Sequence, residues 1–247
     1  MACKKKHPPT AWSLRPAGEH AALREAAQAA GWRLRALPLQ RLRARDAGAS
    51  LAQAFACPLR IATSPAAVRF ARAAVNAWPE SGIDLAVGAG TAAALREAGA
   101  GEVRQPQRMD SEGLLALSEL QALEGCAVAL ITAPGGRGLL PKVLVERGAA
   151  VHRADVYERI VLQAQARRLA AFAESQRDAL LVSSGEAFEA LLRALASRGL
   201  RLAPDRPLVA SSERLAELAN AAGLRCVQVA ASATPSAMVA ALGEARP

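Results

Sequence analysis

The 247-residue chain is 52% hydrophobic but only 3% aromatic, so its cores must be built from Ala, Leu and Val, which suits parallel strands under helices and argues against a β-sandwich. A chain of this length accommodates two domains, each with a core of its own. The formal net charge is +9, yet nearly all of it is Arg scattered among Ala and Glu with few aromatics to stack on bases, so the pattern excludes nucleic acid as the expected partner.

Read in chain order, Lys4-Lys5-Lys6 is followed by His7-Pro8-Pro9 and then by Arg15, Glu19 and Arg24, which leaves no apolar stretch for a secretory signal. The first unit is a strand at Ala11–Leu14, a turn at Arg15-Pro16-Ala17-Gly18, a helix to about Ala30 and a stop at Gly31. Pro38–Arg43 alternates polar and apolar residues as an extended linker would, and a polar stretch runs on to Gln53. A strand at Leu59–Thr63 then enters Ser64-Pro65 and a helix to about Val75, and a strand at Asp84–Val87 enters Gly88-Ala89-Gly90-Thr91 and a helix stopped by Gly99. Val128–Thr132 leads through Gly135-Gly136-Arg137 into a helix that ends near Arg147 and Gly148. A second extended linker is read at Arg153–Ile160, and a helix within Gln163–Arg177. The last two units are Ala179–Val182 with Ser183-Ser184-Gly185 and a helix to about Ala196, then Pro207–Ala210 with Ser211-Ser212 and a helix stopped by Gly223. The first unit matches the fourth, the second the fifth, and the third the sixth, so six strand-turn-helix units form two sets of three. Such alternation predicts an α/β protein with parallel sheets flanked by helices and right-handed crossovers, whose polar turns all lie at the strands' carboxyl ends.

The chemistry available in those turns is narrow. Cys3, Cys57, Cys126 and Cys226 are far apart without a CxxC pair, and His7, His20 and His152 are the only histidines, so neither a zinc site nor a disulfide framework is expected. The longest uncharged runs, such as Gly125–Gly136, fall well short of the roughly 20 residues of a membrane helix. Gly88–Ala93 fits GxGxxA, a weak dinucleotide fingerprint with no acidic residue at the distance a ribose contact needs. No Walker lysine or Ser/His/Asp arrangement is visible. What remains are helix N-termini with hydroxyls, plus Arg15 and Arg137, a set that holds carboxylates through free N–H groups and the helix dipole. The expected ligand is polyanionic, bound without metal or cofactor by a cytoplasmic protein that does not engage a membrane.

Arg15-Pro16-Ala17-Gly18-Glu19, Ala62–Val68, Val87–Ala92, Asp110-Ser111-Glu112-Gly113-Leu114-Leu115, Gly135-Gly136-Arg137 and Val156-Tyr157 together resemble the uroporphyrinogen-III synthase family in order and spacing, from about residue 11 to 242. The resemblance implies two similar α/β domains joined by a two-stranded β linker, with an active-site cleft between them. It also implies that one domain is inserted in the other, residues 39–157 within 1–38 plus 158–247, with linkers near 37–43 and 153–160. The implied reaction closes hydroxymethylbilane to uroporphyrinogen III with loss of water and inversion of ring D, without cofactor, in a monomer whose partner is a polycarboxylate tetrapyrrole.

By the same resemblance Tyr157 assists loss of the hydroxyl. Substrate contacts are expected from Arg15, Thr63, Ser64, Gly88, Thr91, Ser111, Gly136, Arg137, Ser183, Ser184 and Ser212. One departure stands out: where the family often carries a Gly-Pro-Thr-like turn, this chain has Ser211-Ser212-Glu213-Arg214-Leu215, with Ser212 in place of the threonine. Two other readings remain open at this point. One is a non-catalytic binding or regulatory relative, suggested by that turn, and the other a nucleotide-binding Rossmann-type enzyme, suggested by the glycine pattern.

Overall fold

The computed structural model describes residues 8–135, 138–163 and 166–244. The chain begins with β1 (Thr10–Ser13), α1 (Ala21–Ala29) and β2 (Arg33–Ala36), and leaves this first unit along β3 (Gln40–Ala44). A second unit follows: α2 (Gly48–Phe55), β4 (Leu59–Ala62), α3 (Pro65–Ala73), β5 (Ile83–Ala86), α4 (Ala89–Ala98), β6 (Glu102–Arg104), α5 (Ser111–Leu115), β7 (Ala127–Thr132), α6 (Leu139–Glu146) and β8 (Ala150–Asp155). The chain returns on β9 (Tyr157–Val161) and completes the first unit with α7 (Ala166–Glu174), β10 (Ala179–Val182), α8 (Gly185–Ala196), β11 (Leu208–Ala210), α9 (Glu213–Ala221), β12 (Val227–Val229) and α10 (Pro235–Glu244).

The first unit draws on Met1–Arg41 and Ile160–Pro247 and the second is Leu42–Arg159, so the boundaries fall inside β3 and β9, which pair with each other. Arg43 Nε donates to Glu158 Oε1 at 2.7 Å and Arg45 Nη1 to Oε2 at 3.3 Å, bracing that two-stranded sheet from one side.

Each unit holds one five-stranded sheet, in the order β12-β11-β10-β1-β2 in the first and β6-β5-β4-β7-β8 in the second. All neighbours in both sheets are parallel. Counted along the chain within each unit, these are the 2-1-3-4-5 and 3-2-1-4-5 orders of doubly wound sheets. β1 takes the place in its sheet that β7 takes in the other, β10 that of β4, and β11 that of β5, so the units paired in the sequence occupy equivalent positions. The orders differ because the chain enters the equivalent sheets at different strands.

Both faces of each sheet are covered, and strand alternation divides each core in two. In the second unit Ala62, Ala86, Ala129 and Ile131 face one cluster, while Ile61, Leu85, Val128 and Leu130 face the other. In the first, Trp12, Leu180 and Leu208 oppose Ala11, Leu181 and Val209. The small residues let helices approach closely, as expected of cores with so few rings. Helix ends follow local rules: Ser64 caps α3 by accepting the Ala67 N–H at 3.1 Å with Pro65 next in the chain, and Gly148, at φ +86°, turns the chain after α6.

Two expectations about the connecting segments change. The polar stretch before residue 53 gives way to helix α2, whose Leu51 and Ala54 are buried in the core at one-turn spacing. Arg153–Asp155 complete β8, paired in register with Leu130–Thr132, so the extended connection begins only at β9. Their alternation is that of an edge strand of the sheet, a pattern an isolated linker strand shares.

At the amino ends of β4 and β5 the second unit buries an ion pair. Arg60 and Asp84 are register partners, each 1% exposed or less, and Arg60 Nε and Nη2 reach Asp84 Oδ1 and Oδ2 at 2.9 and 2.8 Å. Trp78 Nε1 donates to Asp84 Oδ2 at 3.1 Å, and Arg60 Nη1 to the Cys57 carbonyl at 3.3 Å. Asp84→Ala, which strands the guanidinium, is expected to cost about 3–5 kcal/mol in urea unfolding. An apolar pair of similar combined volume at both positions, which strands no charge, should cost clearly less.

Candidate active site

Parallel strands send every helix N-terminus of a unit to the same edge of its sheet, and the crevice opens where the strand order reverses. In the second unit that reversal lies between β4 and β7. Register pairs Ala62 with Ile131, and the Thr63 N–H continues the ladder to the Ile131 carbonyl at 3.2 Å, which sets Thr63 beside Thr132. Their hydroxyls meet, Thr63 Oγ1 donating to Thr132 Oγ1 at 2.8 Å. The Thr132 carbonyl accepts the Val156 N–H at 3.0 Å, holding the chain where it turns into β9. Tyr157 follows, and its phenol oxygen lies 3.2 Å from Ser64 Oγ and accepts from Arg159 Nη2 at 3.1 Å. Its ring stacks on Phe70 of α3 with centroids 5.4 Å apart and planes 18° from parallel, and the residue is 2% exposed. Thr63 with Thr132 and Ser64 with Tyr157 thus form two hydroxyl pairs at the switch point.

The neighbouring turn after β5 begins α4. Gly88 is its extended N-cap residue, with Met109 Cβ 3.3 Å from where a side chain would begin, and Thr91 lies in the first turn on the buried face, 4% exposed. This glycine turn follows β5, one strand away from the reversal, whereas a dinucleotide fingerprint sits on the first strand beside it. Ser111 opens α5, but the cap there is Asp110, whose Oδ1 accepts the Gly113 N–H at 2.7 Å. Gly113 packs so closely on the Arg108 backbone that any Cβ would collide with its carbonyl oxygen. The Asp110–Gly113 motif is therefore explained locally by helix initiation. Gly136 and Arg137 lie outside the described residues.

In the first unit the reversal lies between β1 and β10. Arg15, just past β1, donates from Nη2 to the Ala233 carbonyl at 2.7 Å, and burial lowers the affinity of its guanidinium for its proton against the opposing pull of Glu19. Ser183 and Ser184 follow β10, and Ser184 caps α8 through the Ala187 N–H at 3.4 Å. Ser212 is the N-cap residue of α9, but its hydroxyl makes no capping hydrogen bond. Arg15, Ser183, Ser184 and Ser212 share the carboxyl end of this sheet as Thr63, Ser64 and Gly88 share that of the other. Among the described residues there is no group of three or more His, Cys, Asp or Glu able to hold a metal ion, and no helix long and apolar enough to cross a membrane.

A family model described as Uroporphyrinogen-III synthase HemD matches residues 21–240. The chain belongs to the uroporphyrinogen-III synthase family. The uroporphyrinogen-III synthase of Salmonella typhimurium strain LT2 is 35% identical over 198 residues, 74% of this chain and 78% of that protein. That of Escherichia coli K12 is 33% identical over 192 residues, again 74% and 78%. A mutant uroporphyrinogen III synthase from the extremely thermophilic bacterium Thermus thermophilus shares the fold with a TM-score of 0.64 at 21% identity, over 96% of this chain and 98% of that one. Membership in this family supersedes the Rossmann-type nucleotide reading.

Four residues of these surroundings escaped the sequence reading. In the sequence Thr132 is only the end of a strand, and Phe70 and Arg159 only parts of a helix and a linker. The partners of Thr132 and Phe70 are distant in the chain, and the contact of Arg159 with Tyr157 two residues away depends on how β9 is placed. His20, the N-cap residue of α1, is 6% exposed, and neither ring nitrogen has a hydrogen-bond partner among the described residues. Burial, then the charges of Arg24 and Arg15, lower its pKa from 6.5 to about 4. The unfolded chain therefore takes up a proton near pH 6.5 that the folded chain refuses until about pH 4, so stability is full above 6.5 and declines between those values as the pH falls. The urea midpoint is expected to drop between pH 7 and pH 5, and His20→Leu to flatten that slope.

Proposed function

We propose that this chain converts hydroxymethylbilane to uroporphyrinogen III, closing the ring with loss of water and inversion of ring D, as a cofactor-independent lyase. The observation that carries the reading is the Tyr157 phenol held between Ser64 and Arg159 at the switch point of a parallel sheet, in a chain of the synthase family. The substrate is a flexible polycarboxylate. Closing it at a substituted carbon, rather than at the nearer free one, is a problem of orientation, and many weak fixed donors suit it better than one strong acid or base. Each unit offers such donors at its helix N-termini and hydroxyls, Thr63, Ser64, Gly88, Thr91 and Ser111 in the inserted unit and Ser183, Ser184 and Ser212 in the other. Arg15 is proposed to join them, as are Gly136 and Arg137, which lie outside the described residues. The net charge of +9 favours such a polyanion without calling for nucleic acid or a membrane surface. The chemistry requires no second chain, and a cytoplasmic monomer suffices for it.

Tyr157 assists departure of the hydroxyl of hydroxymethylbilane, whose loss generates the azafulvene. Supplying hydroxymethylbilane and separating the products by chromatography should give the type III isomer, and type I alone, as in the uncatalysed control, would refute the assignment. Tyr157→Phe is expected to lower turnover roughly tenfold to hundredfold while the protein still folds, its melting temperature falling by only a few degrees.

A further inference from the structure

A phenol that is 2% exposed is poorly placed to meet a substrate itself, and the hydrogen bonds around Tyr157 show where its influence goes. Its oxygen already accepts from Arg159 Nη2 at 3.1 Å, and its ring is held flat against Phe70. The remaining partner is Ser64 Oγ at 3.2 Å, which also accepts the Ala67 N–H at 3.1 Å as the cap of α3.

Two proton arrangements satisfy these distances. If Ser64 donated to Tyr157, the phenol hydrogen would have no acceptor among the described residues, a costly state in a buried setting. If Tyr157 donates to Ser64, both lone pairs of the serine oxygen are filled, by Ala67 and by Tyr157, and the one hydrogen left over belongs to Ser64, whose side chain is half-buried. The second arrangement leaves the free donor on the half-buried residue rather than on the buried one. Each bond in the chain from guanidinium to phenol to serine polarises the next and makes that last hydrogen a better donor.

We propose that Ser64, and not Tyr157, makes the contact with substrate, donating its hydrogen to the departing hydroxyl oxygen, and that Tyr157 and Arg159 are positioning residues acting through it. The inference rests on the synthase reading. No proton need move along the chain. As the C–O bond breaks, electrons of the pyrrole ring form the azafulvene, and the pyrrole N–H proton leaves with the departing hydroxide as water. The Ser64 contact is a hydrogen bond that strengthens as negative charge gathers on the leaving oxygen. The cap bond from Ala67 and the ring contact with Phe70 come from the same helix, so α3 fixes both ends of the Tyr157–Ser64 pair.

The test is a double-mutant cycle on the full chain, with kcat and KM for type III formation from hydroxymethylbilane and a thermal melt for every variant. Ser64→Gly removes the hydroxyl at a position where glycine is itself a tolerated cap, which protects the fold. Ser64→Gly and Tyr157→Phe should each lower kcat roughly tenfold to hundredfold with little change in KM. The double variant should be no slower than the slower single variant, and Ser64→Thr, which restores a hydroxyl, should recover most of the rate. Arg159→Met should slow the wild type but not the Tyr157→Phe variant. If Tyr157→Phe costs as much in the Ser64→Gly background as alone, or if Ser64→Gly leaves kcat unchanged, the phenol acts independently and the proposal is overturned. Failure of the synthase reading looks different, since the wild type would then yield no type III isomer.

Discussion

The parallel pairing of β4 with β7 is the constraint on which the site depends. Their register aligns Ala62 with Ile131, and one more ladder bond carries it past the sheet to Thr63 and Thr132. From there the backbone hands on the geometry: the Thr132 carbonyl fixes Val156, and Val156 delivers Tyr157 to Ser64. These residues come from chain positions almost a hundred apart, and no local propensity relates them. A slip of one residue between the two strands would invert every side chain and part the threonines.

The two units show how one architecture carries different chemistry. Ser64 and Ser184 stand at equivalent places after β4 and β10, and both cap the next helix. Only Ser64 has a phenol beside it, because only the second unit feeds directly into β9 with the sole tyrosine of the chain at its start. The serine of the first unit is thus explained by helix capping, and that of the second by capping and by its bond to Tyr157.

Electrostatics divides along similar lines. Buried charge at the amino ends of the strands is paired, as in the Arg60–Asp84–Trp78 network, or held by carbonyls, as for Arg206, which donates to Phe172 and Asp178 and whose pKa burial pushes down to about 10. At the carboxyl ends, where ligands bind doubly wound sheets, Arg15 spends a donor on one carbonyl only, and His20 stays neutral among arginines. A fold that pairs or hydrogen-bonds most of its buried charge at one edge, Arg206 Nε being without a partner among the described residues, and leaves donors at the other is suited to an anionic guest.

The sequence by itself determined the α/β class, the six strand-turn-helix units and their pairing, and the hydroxyls and glycines that open their helices. These are local matters: strand length, helix period, capping chemistry and the near absence of aromatics are all legible over a dozen residues. The short edge strands β2, β6 and β12, and helix α2 inside a polar stretch, were not, since their stability comes from neighbours rather than from their own pattern. Only the tertiary structure decided which strand lies beside which, and therefore that Thr132 and Phe70 belong with Thr63, Ser64 and Tyr157. It also decided that Tyr157 is buried and Ser64 is not. Burial and hydrogen-bond partnership are properties of contacts between distant segments, and a residue's type records neither.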